Sequence, residues 1–560
     1  EHKSDLGQAK IRVYPSAIGK SSRIKFRLKK IIWFGFKGSR KSGFEQVNQD
    51  LTNPANRLSF FMRNYNKSEH HVTMRDGVRL FTQVFTPKIQ NKTRPAILVR
   101  SPYGIKPYGN KFPADILPSS HFAKDQYILV YQDIRGQFMS EGDFRQISPL
   151  LSPGEDGTDE ATDSYDTMEW IINNLPKHNG NIGVHGISFG GYLASVAATC
   201  EHPALKAVSS QAPVAAPFQG DDFRRNGALY LSHIAFFTYA MGRDMENPTK
   251  KSFKTLKSKE KDPYLFYLNY MNLSTITDSI FNYSCEWWNT ILTHQSNDKY
   301  WRSRSVNSYY DRMNIPILNV GGWYDGEDLN GPLMTYHLNE KNDLGNNNFL
   351  VMGPWTHSTW NSNFASDETI GPFSFKGTSA FFEEHVEKPF FAYYLDNSSS
   401  ISLPEASMFD TGSQEWSLFE SWPPVKTIPL LAYPGNNSLL NLKEFENNSS
   451  STFDEFVSDP HSPVPYTLVP KLQYNRDYFT EDQRFNTNRE DVISFTSLPL
   501  EEDITVAGQI VADLYVSTSG TDSDWIVKVI DVLSEDSIAG YELIVRADIM
   551  RGKYRNDDLH

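Results

Sequence analysis

Cysteine is almost absent from this chain, with two residues, Cys200 and Cys285, among 560. Two thiols build neither a disulfide framework nor a zinc site by themselves, so the core must hold by packing, and the redox compartment stays open. Long apolar runs are also missing. No stretch reaches the roughly 18 apolar residues of a membrane-spanning helix, so no membrane partner is expected. Positive charge is in deficit too. The formal net charge is −12, and a chain that neutralises phosphates needs a basic face, so nucleic acid is not an expected partner. The first residues show no basic, apolar, small-residue leader, although a chain opening on Glu1 leaves room for one removed beforehand. Asn-x-Ser/Thr triplets occur at Asn91, Asn272, Asn282 and Asn397, but a chain this rich in Asn and Ser contains several by chance, and they do not establish secretion.

What is present is globular. Hydrophobic residues make up 39% and charged residues 22%, near the averages for folded domains, and 13% aromatics favours carved pockets. A length of 560 residues predicts two or three units. Residues 1–66 carry basic clusters such as Lys29-Lys30 and Arg40-Lys41 with little periodicity, and read as an extension outside the catalytic core. Alternating strands then flank Asp76-Gly77, a preferred pair for a tight hairpin turn. Ala96–Val99 and Tyr127–Tyr131 are short apolar runs of the kind buried in parallel sheets, and Thr158–Leu175 has helical spacing. Strand alternating with helix predicts an α/β fold over residues 67–400. Residues 218–313 interrupt the rhythm with polar, aromatic, helical sequence and read as an inserted cap. Strands resume at Ile315–Val320 and Asn348–Met352, and from 404 to 560 short strand-like runs between loops predict a C-terminal β-sandwich.

The chemistry is carried by Gly186-Ile187-Ser188-Phe189-Gly190, which lies between a strand and a small-residue helix. A sharp turn there leaves no room for side chains at the flanking positions and lifts the serine hydroxyl above the sheet edge. The pattern alone is only moderately specific, and its context supplies the rest. A serine at neutral pH needs a base to take its proton and a carboxylate to fix the base's tautomer. Asp325 and His357 follow the two resumed strands, in the order Ser, Asp, His typical of α/β-hydrolases. Taken singly, Asp325 reads as a helix cap and His357 as a packed histidine; jointly, the three make a serine hydrolase the better reading.

From about residue 70 to 550 the chain resembles the α-amino-acid ester hydrolases, within the wider group of cocaine esterase and the Xaa-Pro dipeptidyl-peptidases. The resemblance rests on Arg75-Asp76-Gly77-Val78, Ser101-Pro102-Tyr103-Gly104, Asp133-Ile134-Arg135-Gly136, the Ser188 motif, Gly322-Trp323-Tyr324-Asp325-Gly326-Glu327-Asp328, Gly353-Pro354-Trp355-Thr356-His357 and Thr521-Asp522-Ser523-Asp524-Trp525. It implies an α/β-hydrolase core, a helical cap and a C-terminal jelly roll. It also implies an oxyanion hole from Tyr103 and the backbone N–H of Phe189, and a periplasmic or secreted location. The chain ends at His560, where relatives continue for further strands, so the sandwich is expected to lack its last edge.

Glu327, Asp328 and Asp222 are the residues most informative about substrate. Three carboxylates converging beside a nucleophile bind a protonated α-amino group, which relieves their mutual repulsion. The resemblance implies the same cluster; Asp221 reads as a structural cap. The expected activity is hydrolysis of small esters or amides through a serine acyl-enzyme, without metal or organic cofactor, and a homo-oligomer is compatible with it. The alternatives are a general carboxylesterase, a glutaryl acylase or an Xaa-Pro dipeptidyl-peptidase on the same machinery, and, from another class, a carbohydrate-binding jelly-roll protein.

Overall fold

The computed structural model describes residues 54–556, apart from 90, 114–118, 243–247, 271, 282–284, 344, 362–367, 397–402, 443–452, 473–474 and 535–537, together with the backbone of 8–15 and 22–28. Its centre is a ten-stranded sheet made of β1 (Tyr65–Thr73), β2 (Arg79–Pro87), β3 (Arg94–Ser101), β4 (Ile128–Asp133), β5 (His178–Ile187), β6 (Leu205–Gln211), β7 (Ile317–Gly322), β8 (Asn348–Gly353), β9 (Ala406–Asp410) and β10 (Glu415–Phe419). The spatial order is β10-β9-β8-β7-β6-β5-β3-β4-β2-β1. Strands β3 to β9 run parallel, and antiparallel pairs close both ends. The reversal between β3 and β4 and the parallel run beyond it are those of an α/β-hydrolase. In such a sheet, ligands bind beyond the carboxyl ends of the strands.

Both faces of the sheet are covered, which explains why its strands read as unbroken apolar runs. Along β3, Ala96 and Leu98 enter one core cluster with Met168, Ile171 and Leu193, whereas Ile97 enters the opposite one with Phe85, Leu129 and Phe391. The 15-residue helix α1 (Glu160–Asn174) starts where Asp159 accepts a bond from Thr162 N at 2.7 Å and Thr162 Oγ1 returns one from Asp159 N at 2.8 Å. This reciprocal cap satisfies two otherwise orphaned donors. Between β6 and β7 lie the helical segments Leu231–Met241, Pro263–Leu268, Glu286–Thr293 and Lys299–Arg302, whose Trp288 and Trp301 are buried in continuity with the first cluster.

The described parts of the first 66 residues, expected to be an extension outside the catalytic core, take up regular structure. Gln8–Pro15 pairs antiparallel with Asp524–Val532 and Ile493–Thr496, and Ser22–Leu28 pairs with Ile510–Val516. With Glu542–Arg551, these strands make up the C-terminal, strand-rich region. Phe61 and Tyr65 are fully buried under the main sheet. The strand partners of Gln8–Pro15 and Ser22–Leu28 lie hundreds of residues away, which a local reading of periodicity cannot detect.

Candidate active site

Three loops at the carboxyl ends of β5, β7 and β8 build the site. Ser188 follows β5 with φ +64° and ψ −127°, a conformation that L-residues rarely adopt and that functional turns retain. Its N–H donates to Gln211 O at 2.9 Å, which ties the turn to the end of β6. A Cβ on Gly186 would lie 1.9 Å from Gly190 O, and one on Gly191 would lie 2.3 Å from Gln211 O. A Cβ on Gly190 would meet nothing nearer than Arg100 O at 3.7 Å. The expectation that both motif glycines are crowded therefore needs correction: the second steric requirement falls on Gly191, because the new helix crosses the end of β6 at that residue. That helix, α2 (Phe189–Ala197), buries the Phe189 ring in the core. Only the Phe189 backbone N–H, at the first turn of the helix, can then serve the site.

Asp325 and His357 are held by a crossing of the two later loops. Trp323 N donates to Gly353 O at 2.8 Å, and Tyr324 N to Trp355 O at 3.0 Å. Gly322 permits this approach, since a Cβ there would lie 2.1 Å from Trp355 O. His357 Nδ1 lies 2.8 Å from Asp325 Oδ2, while Asp325 Oδ1 accepts from Glu327 N at 2.8 Å and Asp328 N at 3.1 Å. Burial acts to raise the Asp325 pKa, but the His357 charge and these bonds outweigh it and hold the carboxyl below its usual range. For His357, burial acts to lower the pKa, and Asp325, Glu327 and Asp222 outweigh it and hold the imidazole well above its ordinary value.

Tyr103 lies on the loop after β3, its N–H donating to Ser101 Oγ at 3.0 Å and its phenol near enough to Ser188 to feel that side chain. The Asp133 motif explains how that loop is fixed. The fully buried Asp133 accepts from Ile105 N and from Tyr108 Oη, both at 2.9 Å, and burial pushes its carboxyl up to about 7 despite those bonds.

The predicted acids come together beside the histidine. Glu327 Oε2 is 3.7 Å from His357 Nε2. Asp222, 4% exposed, has Oδ1 2.9 Å from His233 Nε2. Asp328 is fully buried, and neither of its carboxylate oxygens has a hydrogen-bond partner. Burial, and then the charges of Asp222, Asp221, Asp325 and Glu327, push its pKa well above the usual value. Asp221 instead accepts from Ala215 N at 2.9 Å and stabilises the turn before the cap. Sequence reasoning missed His233 and Arg225. His233 sits in an apolar helix where a lone histidine reads as core; Arg225 donates to the carbonyl oxygens of Gly326 and Glu327 and lies over the Tyr230 ring at 4.7 Å.

An α/β-hydrolase with this loop arrangement belongs among the serine hydrolases, and comparison with known proteins narrows the class. Residues 76–359 match the X-Pro dipeptidyl-peptidase (S15) family, and residues 400–559 match the X-Pro dipeptidyl-peptidase C-terminal non-catalytic domain. The chain is 26% identical over 509 residues to cocaine esterase of Rhodococcus sp. (strain MB1 Bresler), covering 86% of this chain and 82% of that one. It is similar to a solved α-amino acid ester hydrolase, with TM-score 0.80 and 29% identity over 92% of this chain and 85% of that one. It is also similar to an aminopeptidase from a marine sediment Thaumarchaeota archaeon, with TM-score 0.81 and 31% identity over 94% and 86%. The chain belongs to the S15 family of serine peptidases and esterases, and is a hydrolase of that family.

Proposed function

We propose that the protein hydrolyses esters, and the corresponding amides, whose acyl part carries a free α-amino group. In this reading His357 takes the Ser188 proton, Asp325 holds the imidazole with Nε2 directed to the reaction, and Tyr103 with the Phe189 N–H stabilises the oxyanion. Ser188 Oγ attacks the carbonyl carbon, the leaving alcohol or amine takes the proton from His357, and water activated by the same imidazole releases the acyl group. Asp222, Glu327 and Asp328 receive the ammonium group. No step calls on a metal or organic cofactor, and the C-terminal strands serve as a non-catalytic jelly roll.

The observation that carries the reading is Asp328, a fully buried carboxylate with neither oxygen satisfied, beside Asp222 and Glu327. Burying an unpaired carboxylate is costly, and a bound cation removes the cost. The decisive variant combines Asp222→Asn, Glu327→Gln and Asp328→Asn. Preference for amino over des-amino esters should vanish, while Ser188 still reacts with a fluorophosphonate probe. Selectivity that survives the triple change contradicts the reading. The same carboxylates would accept the N-terminus of a peptide, so the likeness to an aminopeptidase makes amide cleavage a second reading. Comparing an amino-acid amide with its ester at equal acyl group decides between the two.

A further inference from the structure

We infer that Asp222, His233 and Glu327 form a binding site for a divalent transition-metal ion of the zinc type, and that its occupancy inhibits the enzyme. One donor atom from each residue lies within 4.8 Å of the others, an arrangement found once among the described residues. The ion site stands on its own donor atoms, including an imidazole that an ammonium group has no use for, whereas the inhibition rests on the proposed function, whose ammonium seat the ion would fill.

The histidine sets this cluster apart from a simple group of acids. His233 projects from the cap helix Leu231–Met241 and is only 7% exposed. Its ring is stacked between Tyr230, at 4.9 Å and 16°, and Phe237, at 6.3 Å and 13°. This packing fixes the ring plane and keeps Nε2 on Asp222 at 2.9 Å. A ligand held in place before the ion arrives loses little freedom on binding. Glu327 comes from a different element, the loop after β7, and its carboxylate lies 3.7 Å from His357 Nε2. Asp328 supplies an independent sign that a cation belongs here: it is wholly buried, both its oxygens are unpartnered, and Asp222 is the charged group that acts on it most strongly.

The donor set selects the ion. One imidazole nitrogen with carboxylate oxygens suits zinc, nickel or copper, whereas calcium and magnesium require oxygen ligands in greater number. On binding, the His233 Nε2 proton now directed at Asp222 is released and the nitrogen lone pair is given to the ion. Glu327 is drawn from His357, and the seat proposed for the substrate ammonium is filled. The ion therefore competes with an amino-bearing substrate.

The test uses the full chain carrying Ser188→Ala, stripped with chelator and titrated calorimetrically with zinc chloride. One tight site is expected, weakened at least tenfold by His233→Gln and by Glu327→Gln, with calcium and magnesium silent. Should the His233 variant fail to fold, Glu327→Gln, on a separate and more exposed loop, carries the decision. In the active enzyme, zinc should raise the KM for an amino ester, and a chelator should restore it. Absence of binding, or binding indifferent to both substitutions, overturns the inference. Zinc binding that depends on His233 in an enzyme without amino preference would sink the proposed function alone; amino preference with zinc binding indifferent to His233 and Glu327 would sink this inference alone.

Discussion

His357 Nε2, the atom proposed to accept the Ser188 proton, faces Glu327 Oε2 at 3.7 Å. A carboxylate at that distance stabilises the imidazolium, which is the wrong protonation state for a general base. The His357 pKa is raised, so the neutral base is present only above the raised value and activity falls as pH drops through it. Glu327→Gln removes one of the charges holding the proton, and the acid limb of the kcat profile should move to lower pH by about one to three units. Measuring kcat against pH for wild type and variant checks this; an unmoved or upward-moving limb contradicts it.

Asp325→Asn tests the other side of the ring. An amide can present its N–H to Nδ1 and stabilise the wrong tautomer, so kcat should fall by about 10³- to 10⁴-fold. Asp325 also accepts from two backbone N–H groups, and the amide oxygen can keep these bonds. The thermal midpoint should therefore change far less than the rate.

The elbow makes a paired prediction about its glycines. Gly191→Ala places a Cβ 2.3 Å from Gln211 O, where backbone must give way, and should destabilise the fold by several kcal/mol, on the order of 3. Gly190→Ala meets only ordinary contact at 3.7 Å and gains helix propensity of about 1 kcal/mol, so stability should hold or rise. Thermal denaturation of the two variants decides whether the steric requirement lies at Gly191.

Arg546 links the C-terminal strands to the site. Its guanidinium is buried, donates to Trp323 O at 3.0 Å, and lies over the rings of Trp323 and Phe479 at 5.7 and 5.8 Å. Arg546→Ala leaves that carbonyl unsatisfied two residues before Asp325, at a cost of about 2 kcal/mol. The expected result is a lower kcat together with slower fluorophosphonate labelling of Ser188. Unchanged kinetics would mean that the strand does not brace the acid loop.

Asp328 predicts a proton count. Burial and the surrounding carboxylates hold its pKa above the usual value, and a bound cation acts the other way, favouring the ionised form. Binding of phenylglycine amide to Ser188→Ala protein should therefore release a proton, read as a buffer-dependent heat in calorimetry. The des-amino ligand should release none.

How far this site can be read from sequence depends on distance along the chain. Ser188, Asp325 and His357 each end a strand whose apolar run is visible locally, so their order at one sheet edge follows from α/β connectivity. Asp222 and the Glu327-Asp328 pair are legible as acids, yet their convergence depends on how the cap folds back, which periodicity does not encode. His233 is hidden because its helix is mostly apolar and its partner lies on another segment. Arg546 and the strand Gln8–Pro15 are hidden for the same reason, since their contacts are with Trp323 and with residues near 527. The Gly190 and Gly191 roles separate only once the approach of Gln211 O is known.

The most direct test of the account is the ratio of kcat/KM for a phenylglycine ester to that of the same ester lacking its amino group, near neutral pH, with Ser188→Ala as blank. A large preference for the amino compound is expected, of about 100-fold or more if the buried carboxylates bind the ammonium, with no turnover by the blank. Equal values would remove the ammonium site and leave a general esterase, whereas turnover by Ser188→Ala would contradict the nucleophile itself.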